Sequence, residues 1–141
     1  METFDYQKFF ENFGEDKEIA DPLLRQFFEE ILEERLGELH CEMKNKDYEK
    51  IRLSAIKIDV CCYFGIKKLF SLAKTLWKSA EEGKEFSVLL NEYLEVLEET
   101  KELKKQIAEV LGVVPDLKKI EHWEAEIIGI NAHLFFSLKE K

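Results

Sequence analysis

Few side chains in this 141-residue chain could do chemistry: His40, His122 and His133, Cys41, Cys61 and Cys62, and several adjacent glutamates. A metal site from His40, Cys41 and Cys61 would need ligands converging from two helices, and no zinc spacing asks for it. Cys61 and Cys62 are neighbours on an expected helix, so they point about 100° apart and cannot easily form a disulfide. Reduced thiols serving as small core residues are the expectation for all three cysteines. No Glu-x-x-His pair exists, which leaves a di-iron carboxylate bundle without support. Glu29 with Glu30, and Glu33 with Glu34, read as solvated faces rather than acid–base pairs. His40 is expected near a helix C-terminus as a partly exposed imidazole. His122 and His133 share a later helix. With no Gly-rich phosphate loop and no Ser-His-Asp set, the expectation is no enzyme, no cofactor and no metal.

The elements that would position these groups are helices with visible punctuation. Asp5 can cap a short first helix whose Phe9, Phe10 and Phe13 pack inward, and Gly14 would end it. Asp21 followed by Pro22 predicts the next helix start. From there Leu24, Phe28, Ile31, Leu36, Leu39 and Met43 recur at three- and four-residue steps, predicting a helix to about Lys46. Asp47 caps another, running to about Phe64 and stopping at Gly65. A further helix carries Ile66, Leu69, Ala73, Leu76 and Ala80 inward and ends at Gly83. The next carries Phe86, Leu90, Tyr93, Leu97, Leu103, Ile107 and Val110, then Gly112. Short connections make successive long helices antiparallel neighbours. Pro115 marks a break, and Leu117, Ile120, Ile127, Leu134 and Leu138 form one stripe on a last helix over 116–139. The expected fold is all-α, an antiparallel four-helix bundle with a short N-terminal helix and an added C-terminal helix. The bundle would occupy 1–112, and 113–141 would pack on it or extend it.

Composition agrees with that architecture. Apolar residues make up 45% and charged residues 36%, with two prolines and six glycines, which suits a helical bundle. The net charge of −9 argues against nucleic acid, because the lysine pairs Lys67 with Lys68 and Lys104 with Lys105 are short and interleaved with acids. No run of about 18 apolar residues exists, so no membrane span is expected. METFDYQKFF lacks the features of a signal peptide, and the expected location is cytoplasmic.

Residues 47–69 carry a resemblance. The family pattern has a short first helix, an inward Phe, a Leu-rich stretch and an Asp, matched by residues 4–13, Phe27 or Phe28, Leu36 with Leu39, and Asp47. Then come a Leu four residues on and Ala-His-x-Leu-Lys-Gly-Ser; here stand Ile51, Ala55, Ile56, Lys57, Ile58, Asp59, Val60 and Cys61. Gly65 and Leu69 follow in the expected order. From about Phe4 to Ala108 the chain thus resembles a histidine-containing phosphotransfer (HPt) domain. Ile56 takes the phosphoacceptor position, Asp59 that of the lysine and Val60 that of the glycine. An isoleucine has no nucleophilic atom, and Asp59 would set negative charge beside an incoming phosphoryl group. The gap to Gly65 is one residue short of the family norm, and shifting the alignment puts the equally inert Ala55 at the reactive position. The resemblance therefore implies a scaffold that binds without accepting phosphate.

The same helix has two apolar faces. Ile51, Ala55, Ile58 and Cys62 form the expected core face, while Leu53, Ile56, Val60 and Phe64 lie opposite. Lys50, Ser54 and Lys57 flank them on one side, Arg52 and Asp59 on the other. Such a helix must be covered twice or left sticky. Either the C-terminal helix covers the second face, or Arg52, Leu53, Ile56, Asp59, Val60 and Phe64 dock a partner. The partner implied is a response-regulator receiver domain or a histidine kinase module, with homodimerisation as a third possibility. A structural or assembly bundle outside any phosphorelay is the alternative function. A phosphoacceptor relocated to His40, His122 or His133 is the remaining chemistry.

Overall fold

Helix α1 (Tyr6–Asn12) begins where the Asp5 carboxylate accepts from the Lys8 N–H at 3.0 Å. It buries Phe9 completely, and Gly14 at φ +70° turns the chain after it. The computed structural model describes residues 4–12, 14–58 and 66–134, the side chain of Phe28 excepted, so Phe13 lies outside what is described. Every regular element among the described residues is helical, as the all-α expectation requires.

Helix α2 (Lys17–Gln26) corrects the expected start at Asp21 and Pro22. Its N-cap is Asp16, whose carboxylate accepts from the Glu18 N–H at 3.0 Å, and Pro22 lies inside the helix. Asp21 instead accepts a 2.8 Å bond from the Tyr6 hydroxyl, tying α1 to α2. Pro22 removes one rung of the ladder. The loss falls at an exposed ring, while Ala20 and Leu24 on the other side are fully buried.

The run to Lys46 is one path interrupted by a π-helical turn, Phe27–Leu32, before α3 (Glu33–Asn45). That turn overturns the inward place expected for Ile31, while the one expected for Phe28 lies outside what is described. Phe27 and Leu32 are each 1% exposed, whereas Ile31 is 38% exposed. A five-residue step from Phe27 to Leu32 is what a π turn allows and a regular α-helix does not. Beyond it Leu36, Leu39 and Met43 return to the core as expected.

Three helices follow: α4 (Tyr48–Ile56), α5 (Lys67–Glu81) and α6 (Phe86–Leu111). The core positions expected on α5 are all buried, and Gly83 at φ +69° ends it. Leu90, Tyr93, Leu97, Leu103 and Ile107 are buried on α6, which closes at Gly112 with φ +71°. Contacts fix the directions. Tyr48 at the start of α4 donates to the carbonyl of Lys84, just past the end of α5. Ser79 bonds Glu92 at 2.7 Å and Lys68 pairs with Glu99 at 3.6 Å, so α5 and α6 are antiparallel. His40 meets Tyr93 and Glu33 meets Lys104, so α3 and α6 are antiparallel as well.

Helix α7 (Lys118–Ile130) is shorter than the expected 116–139 and ends where the Asn131 side chain donates to the Ile127 carbonyl at 2.9 Å. Leu138 lies outside the described residues. Helix α7 runs parallel to α3 at a constant offset of 86 positions: Glu33 with Lys119, Gly37 with Trp123, His40 with Glu126. Against α6 it is antiparallel, held by Lys101 to Glu124 at 2.7 Å. Ile120, Trp123 and Ile127 are its buried side.

The π turn sets an order of mutational cost. Leu32→Ala should lose about 2–5 kcal/mol of unfolding free energy, and Ile31→Ala less than about 1 kcal/mol, by urea denaturation. The reverse order would mean that the segment is a regular α-helix.

Candidate docking face

The α3–α4 reversal is tight because its two connecting residues have opposite backbone roles. Lys46 adopts the left-handed conformation (φ 55°), bonding the carbonyls of Glu42 and Met43. Asp47 is extended and its carboxylate accepts from the Lys50 N–H at 3.2 Å. This fixes α4 antiparallel to α3 and sends Ile51, Ala55 and Ile58 into the core, as the pattern requires. Ser54, expected on a polar flank, is buried at 7% exposure, so the core side is wider than the wheel implies.

The outward side is apolar where it can be described. Leu53 is 45% exposed and Ile56 half-buried. Arg52 lies beside them with its guanidinium forked onto Glu49, Nη2 to Oε1 at 2.6 Å and Nε to Oε2 at 3.2 Å. That hydrogen-bonded pairing lowers the Glu49 carboxyl below its ordinary value and raises Arg52. Asp59, Val60 and Phe64, along with Cys61, Cys62 and Gly65, lie outside the described residues. Helix α4 itself stops at Ile56 and passes into a tighter turn at Lys57 and Ile58, and the rest of the helix expected to reach Phe64 lies outside the described residues. Since α7 lies on α3 and α6, it leaves Leu53 open.

Sequence reasoning missed the strongest polar constellation, which lies on the other side of α3. His40 is 5% exposed, not a partly solvated helix-end residue. Its Nδ1 is 2.6 Å from the Tyr93 hydroxyl and its Nε2 is 2.7 Å from Glu126 Oε1. A carboxylate only accepts, so Nε2 carries the proton and Nδ1 accepts from the tyrosine O–H. Trp123 and Tyr93 both stack near the ring, with centroids at 5.5 Å and 5.8 Å. Lys44 also reaches Glu126 at 3.2 Å.

The electrostatics follow from burial. Loss of water lowers His40 below its ordinary value despite the Glu126 carboxylate, and raises Tyr93 well above its own. The bonds from His40 and Lys44 lower Glu126. Neutral tyrosine, neutral imidazole and ionised carboxylate together satisfy every donor in the chain. Both ring nitrogens are thereby occupied, leaving no lone pair for a phosphoryl group.

The other candidates do not converge. Cys41 is exposed, against the expectation of a core thiol, and points away from its buried neighbour His40. His122 is exposed and 4.0 Å from Glu126, and His133 is exposed. Among the described residues, no group of three or more His, Cys, Asp or Glu is placed to hold a metal ion. A cavity of about 280 Å³ between α2, α6 and the connector is walled by Arg25, Ile107, Leu111 and Pro115, with the Lys104–Glu33 pair closed on itself. The available signal for the His40 cluster was Gly37, a glycine inside an otherwise regular helical pattern. A Cβ there would sit 3.6 Å from the Trp123 ring, an ordinary van der Waals contact, so the indole lies directly against this position.

Comparisons with protein-family models, with curated proteins and with solved structures found no match to this chain.

Tyr93→Phe leaves the buried His40 Nδ1 without its donor. A loss of about 1–3 kcal/mol in denaturant unfolding is expected. A change within about 0.5 kcal/mol would mean that the hydroxyl does not hold the imidazole.

Proposed function

We propose that the chain is a non-catalytic, HPt-like signalling protein. In this reading α3 to α6 form the antiparallel four-helix bundle of the family, preceded by short helices and extended by α7. The protein binds a response-regulator receiver domain, or the kinase module that would otherwise engage an active HPt protein, without accepting phosphate. It thereby inhibits or redirects a phosphorelay. The observation that supports this most is the open outer side of α4. Leu53 is exposed and Ile56 half-exposed, while α7 packs on α3 and α6 instead.

The chemistry of the position supports binding over transfer. Ile56 offers a hydrocarbon surface where a nucleophile would be required. Arg52, already engaged by Glu49, can shape the rim without an unpaired charge to bury. A patch of this kind suits a weak or transient complex rather than an obligate one.

A second reading, self-association of a structural bundle, is favoured by Ile128 and Ile130, which are 41% and 49% exposed on α7. Light scattering over a range of concentration separates the two readings.

Titration calorimetry against receiver domains of the same organism, with and without a phosphoryl mimic, tests the proposal. One of them should bind saturably in the micromolar range (about −8 kcal/mol). Leu53→Glu and Ile56→Glu should each weaken that binding at least about tenfold with the helical circular dichroism retained. Binding that survives both substitutions would place the docking surface elsewhere, and no binding across the panel would remove the receiver as partner.

A further inference from the structure

We infer that the Tyr93–His40–Glu126 chain is a proton-operated latch, in which neutral His40 holds α7 in the groove between α3 and α6 and protonated His40 releases it. The three residues come from three helices, and His40 is the only one of them with a hydrogen bond to both of the others. Helix α7 is 13 residues long, too short to persist alone in water, so its order depends on this docking. Its remaining ties are the buried Ile120, Trp123 and Ile127 and the ion pairs to Lys101, Lys44 and Glu33.

Protonation breaks the donor–acceptor match. An imidazolium has two N–H donors and no acceptor. Glu126 still receives Nε2–H, but Nδ1–H now faces the Tyr93 oxygen. The tyrosine must then send its own proton elsewhere, and it is fully buried, with no other hydrogen bond among the described residues. Undocking of α7 relieves this, because it opens His40 to water and removes Trp123 from its face.

The surrounding charges set the direction. From α7, Glu126 favours the imidazolium while His122 opposes it; from α3, Lys44 opposes it. From α6 comes the neutral Tyr93, with Lys101 tied to Glu124 between α6 and α7. Between α3 and α4 the charges are the Lys57–Glu38 pair. Desolvation outweighs Glu126, so docked His40 lies below its ordinary value of 6.5. The released state therefore binds more protons than the docked state. Docking is fully supported above pH 6.5 and weakens as pH falls toward the docked value, by up to tenfold for each unit between the two. Glu126, held below its ordinary 4.5, acts in the same direction in a more acid window.

The test uses the full chain. The ring resonances of the three histidines are titrated by NMR, and Trp123 emission is followed in a Trp77→Phe background from about pH 7.5 to about pH 5. His40 should titrate below 6.5, and Trp123 emission should move to longer wavelength over the same range while most helical dichroism persists. His40→Gln should abolish that emission change, and His122→Gln should leave it in place. An emission that stays constant, a His40 titration at or above 6.5, or an unchanged transition in His40→Gln would each overturn the latch. If His40→Gln does not fold, the titration of the unsubstituted ring decides alone.

Discussion

Helix α3 packs against α4, α6 and α7, and a large polar side chain buried where they meet is costly unless it is hydrogen-bonded. Leu36, Leu39 and Met43 meet this constraint by being apolar, and each is fully buried. His40 meets it by bonding a tyrosine on α6 and a glutamate on α7. The arrangement of the later helices turns on that requirement. Without Tyr93 and Glu126 at those positions, an imidazole in the middle of the packing would be a desolvation cost with no return. With them, it becomes the point where three helices are registered against one another.

Local signals were legible, and distant ones were not. Asp47, Gly83 and Gly112 announced their helix boundaries because a cap is written within four or five residues. Asp16 was overlooked because Asp21 with Pro22 offers a stronger pattern, although the Asp16 carboxylate caps the helix locally. The π turn escaped because Phe27, Phe28, Ile31 and Leu32 are all apolar. Four such residues fit either a regular or a widened helix, and packing alone selects between them. His40 escaped for another reason: its partners are 53 and 86 residues away, and no spacing rule reaches so far.

The two apolar sides of α4 show how a pattern can be read correctly and still leave its purpose open. The core side was legible because Ile51, Ala55 and Ile58 repeat with the helical period, and they are buried. The other side follows the same period at Leu53 and Ile56, yet periodicity carries no information about what lies across from it. The stripe on α7 posed the same question and found its answer on α3 and α6. Gly37 and Trp123 form the complementary pair there, a missing side chain and the largest one.

The connector 112–117 between α6 and α7 gives the groove a further property. A helix tied to its own binding site by so short a tether faces that site at an effective concentration in the millimolar range. Any external helix drawn to the Gly37 groove must compete with that tethered occupant, not with water. A modest loss of α7 affinity therefore changes the standing of every competitor at once. The tether makes the groove a threshold: closed to weak ligands while α7 holds, and open to the same ligands once it lets go.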